Sequence, residues 1–433
     1  MAKTYAVAGL GYGDEGKGST VDYLVEKLGA KTVVRYNGGP QAAHHVVRDG
    51  KVHCFSHFGS GSFKPGVETY ISEHMLVNPL NLETEAEILQ KKGVEDICTR
   101  TYVEKQCTVI TPMQQIVGQM REIMNQYGSC GLGIGETVRD KAAGLEIKIQ
   151  DISESKSWHS KLNYMWKVKL DQAEQILAEC PDDKKISELY DKIADPALIE
   201  RLEQSYAMLL HKINIVDKKE LFGPVVFEGA QGVLLDYDHG FWPHVTKTDT
   251  TFDNVYKIVN GSDEVVRIGV MRAYFTRHGN GPFVTEDERL GMAEWHNNLN
   301  DWQGKFRIGH LDFVALKYSL DVCGGVDMIS LTNMDRIDGT QKVCVAYQYA
   351  GNSDIDDFFE YDIKSGKKII STIKKHEGPD HERQEKLTHL LDESIPIYAE
   401  CHKDDLIDFI EETLDTKVGI VSFGPEYTDK SLI

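Results

Sequence analysis

Gly9-Leu10-Gly11-Tyr12-Gly13-Asp14-Glu15-Gly16-Lys17-Gly18-Ser19 decides how this chain is read. Before it, Thr4 to Ala8 is a short apolar run, the pattern of a buried strand. After it, Thr20 to Leu28 carries Val21, Leu24, Val25 and Leu28 at helical spacing. The glycines therefore fall in a strand-to-helix turn. There, backbone N–H groups converge and the helix N-terminus adds a positive dipole end. Lys17 adds a point charge, and the stretch reads as a phosphate cradle. It is P-loop-like but not a P-loop. Gly11, four residues, Gly16 and Lys17 fit that spacing, yet Gly18 stands where Ser or Thr would hold the metal. Asp14, inside the loop, is the candidate ligand for Mg²⁺. The bland alternative is a glycine-rich turn whose aspartate caps the helix.

Outward from this loop, Thr32 to Tyr36 is a second β-branched run, followed by Asn37-Gly38-Gly39-Pro40-Gln41-Ala42-Ala43-His44-His45. Strand, loop, helix and strand predict an α/β fold, a large mainly parallel central sheet flanked by helices. Further strands are expected at Lys51 to Phe58, Glu68 to Ser72, Pro224 to Phe227, Val265 to Phe275, Val326 to Leu331 and Val418 to Val421. Helices are expected at Asn81 to Lys91, Met113 to Tyr127 and Phe313 to Val322. Asp151 to Lys219 reads as mostly helical, and its stripe of Leu198, Ile199, Leu202, Tyr206, Leu209 and Leu210 reads as core packing.

The net charge is −20, from 48 basic and 68 acidic side chains in 433 residues. That disfavours non-specific binding to nucleic acid or an anionic membrane, and an anionic substrate needs a local positive site. The 8 cysteines form no CxxC, so they read as reduced cytosolic thiols, and the expected location is cytoplasmic. The N-terminus runs straight into a strand, with no signal peptide. No apolar run approaches the roughly 18 residues of a membrane helix.

The two opening stretches together resemble the signature of adenylosuccinate synthetases: a Gly-Asp-Glu-Gly-Lys-Gly loop after a strand, then an Arg-Tyr-x-Gly-Gly-x-x-Ala-x-His block, here Arg35 to His44. Glu228-Gly229-Ala230-Gln231-Gly232, Thr276-Arg277-His278-Gly279-Asn280-Gly281-Pro282-Phe283 with Thr285 and Glu286, and Ser422-Phe423-Gly424-Pro425 continue the match. It covers nearly the whole chain and implies one domain over residues 1–433, with a helical insertion at about 151–219. The implied activity is a ligase that joins L-aspartate to C6 of a 6-oxopurine nucleotide, IMP first, with hydrolysis of GTP. The partners it implies are small molecules and a second copy of the chain, as a homodimer.

The resemblance assigns Asp14, His44 and Gln231 to catalysis, with Asp14 as the base for the purine N1 proton. Asp14 and the Ala43 carbonyl would hold Mg²⁺. Gly13, Glu15, Gly16, Lys17, Gly18, Asn333, Asp335, Ser422, Gly424 and Pro425 would hold the nucleoside triphosphate. Asp14, Gln41, Ser129, Cys130, Gln231 and Thr246 would hold the purine monophosphate, and Lys305 with Arg307 the two carboxylates of aspartate. Four of these regions depart from the family pattern. Gln41 replaces an Asn and Cys130 a Thr, Asn333 stands where a lysine stacks on guanine, and Gly144 where an arginine crosses a dimer interface to the 5′-phosphate. Arg139, Lys141 and Lys148 are the candidates to compensate. Phage relatives that use dGMP carry a small residue at the loop aspartate, so Asp14 favours IMP over a dGMP-specific 2-aminodeoxyadenylosuccinate synthetase. Two readings of another class are a nucleotide-binding module without catalysis and a metal phosphohydrolase using His44, His45 and His53. His239 and His244 have no third ligand at metal spacing and read as structural.

Overall fold

The first apolar run forms β1 (Thr4–Gly9), and α1 (Lys17–Leu28) follows the glycine loop. The computed structural model describes residues 3–126, 128–154, 156–259, 264–292, 302 and 304–433. The next strands are β2 (Thr32–Arg35), β3 (His44–Arg48), β4 (Lys51–Phe55), β5 (Glu68–Ile71), β6 (Thr101–Glu104), β7 (Asn214–Val216), β8 (Val225–Gly232) and β9 (Val265–Arg272). After them come β10 (Phe275–His278), β11 (Phe306–Gly309), β12 (Leu311–Asp312), β13 (Met328–Thr332), β14 (Thr340–Tyr349), β15 (Phe359–Lys364), β16 (Lys367–Ile373), β17 (Ser394–His402), β18 (Val418–Ser422) and β19 (Lys430–Leu432). The remaining helices are α2 (Pro79–Lys91), α3 (Pro112–Asn125), α4 (Ile134–Ala142), α5 (Ile149–Glu154), α6 (Trp158–Glu179), α7 (Lys184–Ile193), α8 (Leu198–Leu210), α9 (Asp253–Ile258), α10 (Phe313–Val322), α11 (His381–Asp392) and α12 (Leu406–Leu414).

Ten strands form one sheet in the order β19-β18-β13-β9-β1-β8-β2-β5-β6-β7. Neighbours run parallel, apart from β18 with β19. The expected α/β architecture is therefore present. β1 and β2 are buried almost throughout, as strands covered on both faces must be. From β1 the chain steps to the β2 side, and later fills the other side with β9, β13 and β18. β1 thus sits at a switch point, where the carboxyl ends of parallel strands open a crevice.

Three expectations change in detail. The strand expected at Lys51 to Phe58 stops at Phe55, because the Ser56 and His57 N–H groups turn to the Glu85 carboxylate (2.9 and 2.8 Å). The strand expected at Val265 to Phe275 is two strands, and β10 leaves the main sheet to pair antiparallel with β11. The helix expected to end at Tyr127 stops at Asn125, and Tyr127 lies outside the described residues. Between Asp151 and Lys219 the described residues are mostly helical as expected, in α5 to α8, while β7 adds a strand at the edge of the sheet. Ile199, Leu202, Tyr206 and Leu209 of α8 share one apolar core with Met113, Val117 and Met120 of α3.

Candidate functional site

The loop after β1 ends in a helix start that no side chain closes. Gly16 is the N-cap of α1, at φ 91°, and receives no side-chain cap. Asp14 is therefore not the cap, and the first N–H groups of α1 stay available to an anion. Asp14 is exposed and held at φ 61°, a left-handed conformation that costs a non-glycine residue about 1 kcal/mol or more. Arg272 fixes it by donating from Nε to the Asp14 carbonyl at 2.5 Å. Gln231, at the end of β8, is likewise left-handed at φ 58°. A Cβ on Gly13 would stand 3.9 Å from the Gln231 Cα, so the two strained turns face each other. Among the described residues the Gln231 amide oxygen accepts only from the Thr248 hydroxyl, at 3.5 Å.

Lys17 is not the free charge expected. Its Nζ lies 2.5 Å from Glu15 Oε2, and both side chains are buried. Glu15 Oε1 accepts from the N–H groups of Gly11 (3.0 Å) and Gly13 (2.7 Å). The Glu15 carboxylate thus fills the middle of the loop and Lys17 neutralises it. Gly9 and Gly232 must lack side chains, since a Cβ on either would overlap that carboxylate.

His44 opens β3, and its Nδ1 lies 2.5 Å from Oε1 of Glu228 on β8. The other Glu228 oxygen accepts the Ser60 N–H at 2.9 Å. Burial works against the Glu228 charge, but Arg35, His44 and Ser60 outweigh it and hold the carboxyl at about 2. Burial lowers His44, with Arg35 and Lys17 adding to the effect against the pull of Glu228. The ring is then neutral at pH 7, and its buried Nε2 has no partner among the described residues. A Cβ on Gly18 would stand 2.6 Å from the His44 Cβ, which explains the departure from a P-loop: residue 18 makes room for the imidazole. Glu228 was not among the expected site residues. Its signal was one carboxylate at the end of a fully apolar strand. The histidine trio disperses instead of gathering. His45 pairs across from Cys54, on the other face of the hairpin from His44, and His53 turns to Glu85 at 3.5 Å. No three His, Cys, Asp or Glu side chains among the described residues are grouped to hold a metal.

Beside α1, the Thr332 hydroxyl donates to the Glu15 carbonyl at 2.6 Å. Asn333 follows at φ 61°, and Asp335 is exposed. β18 runs alongside with Leu331 opposite Val421, so Ser422, Gly424 and Pro425 border the same edge. Ser422 donates to the Gly424 carbonyl at 2.9 Å.

A second helix start is open on the β8 side. Gly133, at φ 81°, is the N-cap of α4 and again no side chain closes it. A Cβ there would stand 2.8 Å from the Gln115 Cα. Ser129 is exposed, whereas Cys130 packs against Leu76, Ile110 and Ile134 and burial raises its thiol. Both amide atoms of Gln41 are buried without a partner among the described residues, and a Cβ on Gly39 would meet Gln41 and Ile134 together. The Thr246 hydroxyl lies 3.4 Å from that of Thr248. The cations expected to compensate for Gly144 are each engaged. Arg139 pairs with Glu136, while Lys141 (3.3 Å) and Lys148 (3.8 Å) pair with Glu146. Arg307 is engaged as well. Its fork holds Glu286 (2.5 Å) and the carbonyls of Gly279 and Gly281, so a dicarboxylate must draw it away from Glu286. Lys305 is exposed. Asp301, just before this turn, lies outside the described residues.

Two helix starts without a side-chain cap, on a mostly parallel sheet and with a buried imidazole–carboxylate pair against the first, define an α/β protein with a P-loop-like loop. The chain belongs to the adenylosuccinate synthetase family, whose profile matches residues 6–431. It is 31% identical to the adenylosuccinate synthetase of Marinomonas sp. strain MWYL1, over 100% of this chain and 99% of that one. It is 33% identical to that of Francisella philomiragia, covering 80% and 81%. Among solved structures it resembles the fully ligated adenylosuccinate synthetase of Plasmodium falciparum, with a TM-score of 0.75, 21% identity and 99% of both chains covered. It also resembles the succinoaminodeoxyadenylate synthetase of cyanophage S-2L, bound to dGMP and dATP, with a TM-score of 0.57, 14% identity and coverage of 100% and 95%. At those identities the two structures speak for the fold.

Proposed function

We propose that the chain is a C–N ligase of purine biosynthesis that joins L-aspartate to C6 of IMP, with GTP converted to GDP and phosphate. The observation that carries this is the His44–Glu228 pair, seated against Gly18 at the open start of α1, with Asp14 and Gln231 held on facing turns. Asp14 removes the purine N1 proton, so that O6 becomes nucleophilic toward the γ-phosphorus and GDP leaves. The aspartate amine then attacks C6, and O6 departs with the phosphate. His44 and Gln231 face the charge that builds on O6 and on the moving phosphoryl group. Glu228 favours the protonated imidazole, which turns the unpartnered Nε2 into a donor once that anion is in place.

The N–H groups at the start of α1 take the triphosphate, with Asn333, Asp335, Ser422, Gly424 and Pro425 at the base. Gln41, Ser129, Cys130 and Thr246 line the monophosphate side, Cys130 through its backbone. Lys305 and Arg307 receive the aspartate. Asp14 fits a metal: it is exposed, its carboxylate has no cation partner among the described residues, and Ala43 is an exposed residue as well. Hard oxygen donors of this kind suit Mg²⁺, which keeps most of its water and is bound by few protein groups. When bound, it would screen the triphosphate charge. We read the chain as one domain, working as a cytoplasmic homodimer.

The test is phosphate release with GTP, Mg²⁺ and L-aspartate, comparing IMP, GMP and dGMP and then ATP for GTP. Aspartate-dependent release with IMP is the expected result. Release with dGMP alone would assign the phage-type reaction, and silence with every nucleotide would leave a binding module.

A further inference from the structure

Gly144 stands where the resemblance expects an arginine for the monophosphate, and each cation considered as a replacement already holds a carboxylate. One cation beside α4 does not. Lys247 lies between Thr246 and Thr248, and its Cγ is 3.8 Å from where a Cβ on Gly135 would stand, over the first turn of α4. Its Nζ rests 3.7 Å from the centre of the Trp242 ring and 5.0 Å from that of Tyr237. No carboxylate pairs with it among the described residues. The acids of α4 are occupied: Glu136 by Lys169 (2.8 Å), Arg139 and Arg121, and Asp140 by Lys169 (2.5 Å) and Gln114 (2.8 Å).

Such an ammonium is poorly placed in the free protein. Burial, and then the like charge of Arg139, lower it to about 8. The aromatic faces offset part of that cost. An anion at the start of α4 would offset the rest, because the helix end and Lys247 would share it. Across the same first turn, the Gln41 amide is buried with no partner beside Ile134. Two unrelated side chains are thus left unsatisfied at one helix end.

We propose that Lys247 is the cation that receives the 5′-phosphate of the nucleoside monophosphate at the start of α4, in place of the arginine missing at Gly144. This rests on the reading of residues 129–135 as the monophosphate loop. The test is direct binding of IMP, and separately of GTP, by calorimetry to the full-length protein and to Lys247→Met and Lys247→Arg. Lys247→Met should weaken IMP binding about 10- to 100-fold and leave GTP binding within about twofold. Lys247→Arg should recover most of the loss. In turnover, the KM for IMP should rise with little change in kcat. IMP binding by Lys247→Met within about threefold of wild type would overturn the assignment and leave the monophosphate reading intact. A wild-type protein that binds GTP but none of IMP, GMP or dGMP would overturn the monophosphate reading, and the assignment with it. Equal loss of IMP and GTP in both variants would also overturn it, since the lysine would then be structural.

Discussion

The two open helix starts, at α1 and α4, reach one geometry by opposite routes. At α1 the family's side chains are all present, yet the lysine that looks like a phosphate ligand is spent inside the loop on Glu15. At α4 the family's side chains have changed, yet the open N-cap and its left-handed glycine remain. What the two share is backbone: a glycine N-cap and N–H groups without a cap. In the proposed reading, binding at both would rest first on main-chain donors, with the charges around them free to differ. Helix α10 makes the contrast sharper. Its N-cap, Asp312, accepts from the N–H groups of Val314 and Ala315, both at 3.1 Å, and closes that end to any ligand.

The largest effect that could break this comparison is expected at Asp14. Asn tolerates the left-handed backbone, so Asp14→Asn should keep the loop and lose roughly 10²–10⁴-fold in kcat. A kcat near wild type would remove Asp14 as the base. Glu228→Gln keeps a hydrogen-bond acceptor beside His44 and loses the charge. It should lower kcat roughly 10²-fold with the KM values little changed. Unchanged turnover would make His44 an ordinary core histidine.

Lys17→Met asks which partner the lysine serves. Stranding the buried Glu15 charge should cost about 3–5 kcal/mol in a denaturation experiment, and the double variant Glu15→Gln/Lys17→Met should regain most of it. Full stability with loss of GTP binding would mean that Lys17 serves the phosphate instead. The smallest effect is at the closed helix. Burial raises Asp312 to about 6, against its hydrogen bonds from Tyr347 and two N–H groups. A carboxyl raised on folding adds stability that is full below its ordinary 3.8 and is lost as pH rises through about 6. Asp312→Asn should therefore flatten the fall in melting temperature between about pH 4 and 6.5. Asp22 and Asp236 are also raised to about 6, so the slope should shrink without vanishing. An unchanged slope would mean that Asp312 carries no such penalty.

The parts of the fold that could be read from sequence were those where local pattern and tertiary role agree. β1 with its glycine loop, β2 and α10 are continuous apolar or helical runs in a covered parallel sheet. The sheet of β12, β14, β15, β16 and β17 was not visible. β14 alternates poorly between faces and slips register between Cys344 and Ala346. In the candidate site, Asp14, His44 and Gln231 could be nominated from sequence because a motif carries them, and the fold brings His44 against the start of α1 and sets Asp14 and Gln231 on facing turns. Glu228 could not be assigned, because its partner is 184 residues away in sequence. Lys247 is one lysine in a polar turn. Only the folded chain shows it over Trp242, with the two acids of α4 already paired.

In the proposed reaction, O6 of the purine bonds to the γ-phosphorus before aspartate enters. The direct measurement is the fate of ¹⁸O placed at C6 of IMP during turnover with GTP and L-aspartate. The label should leave with the phosphate, one atom for each adenylosuccinate formed. Phosphate carrying only solvent oxygen would contradict it, because GTP would then be hydrolysed by water and the Asp14, His44 and Gln231 site would not act on the base.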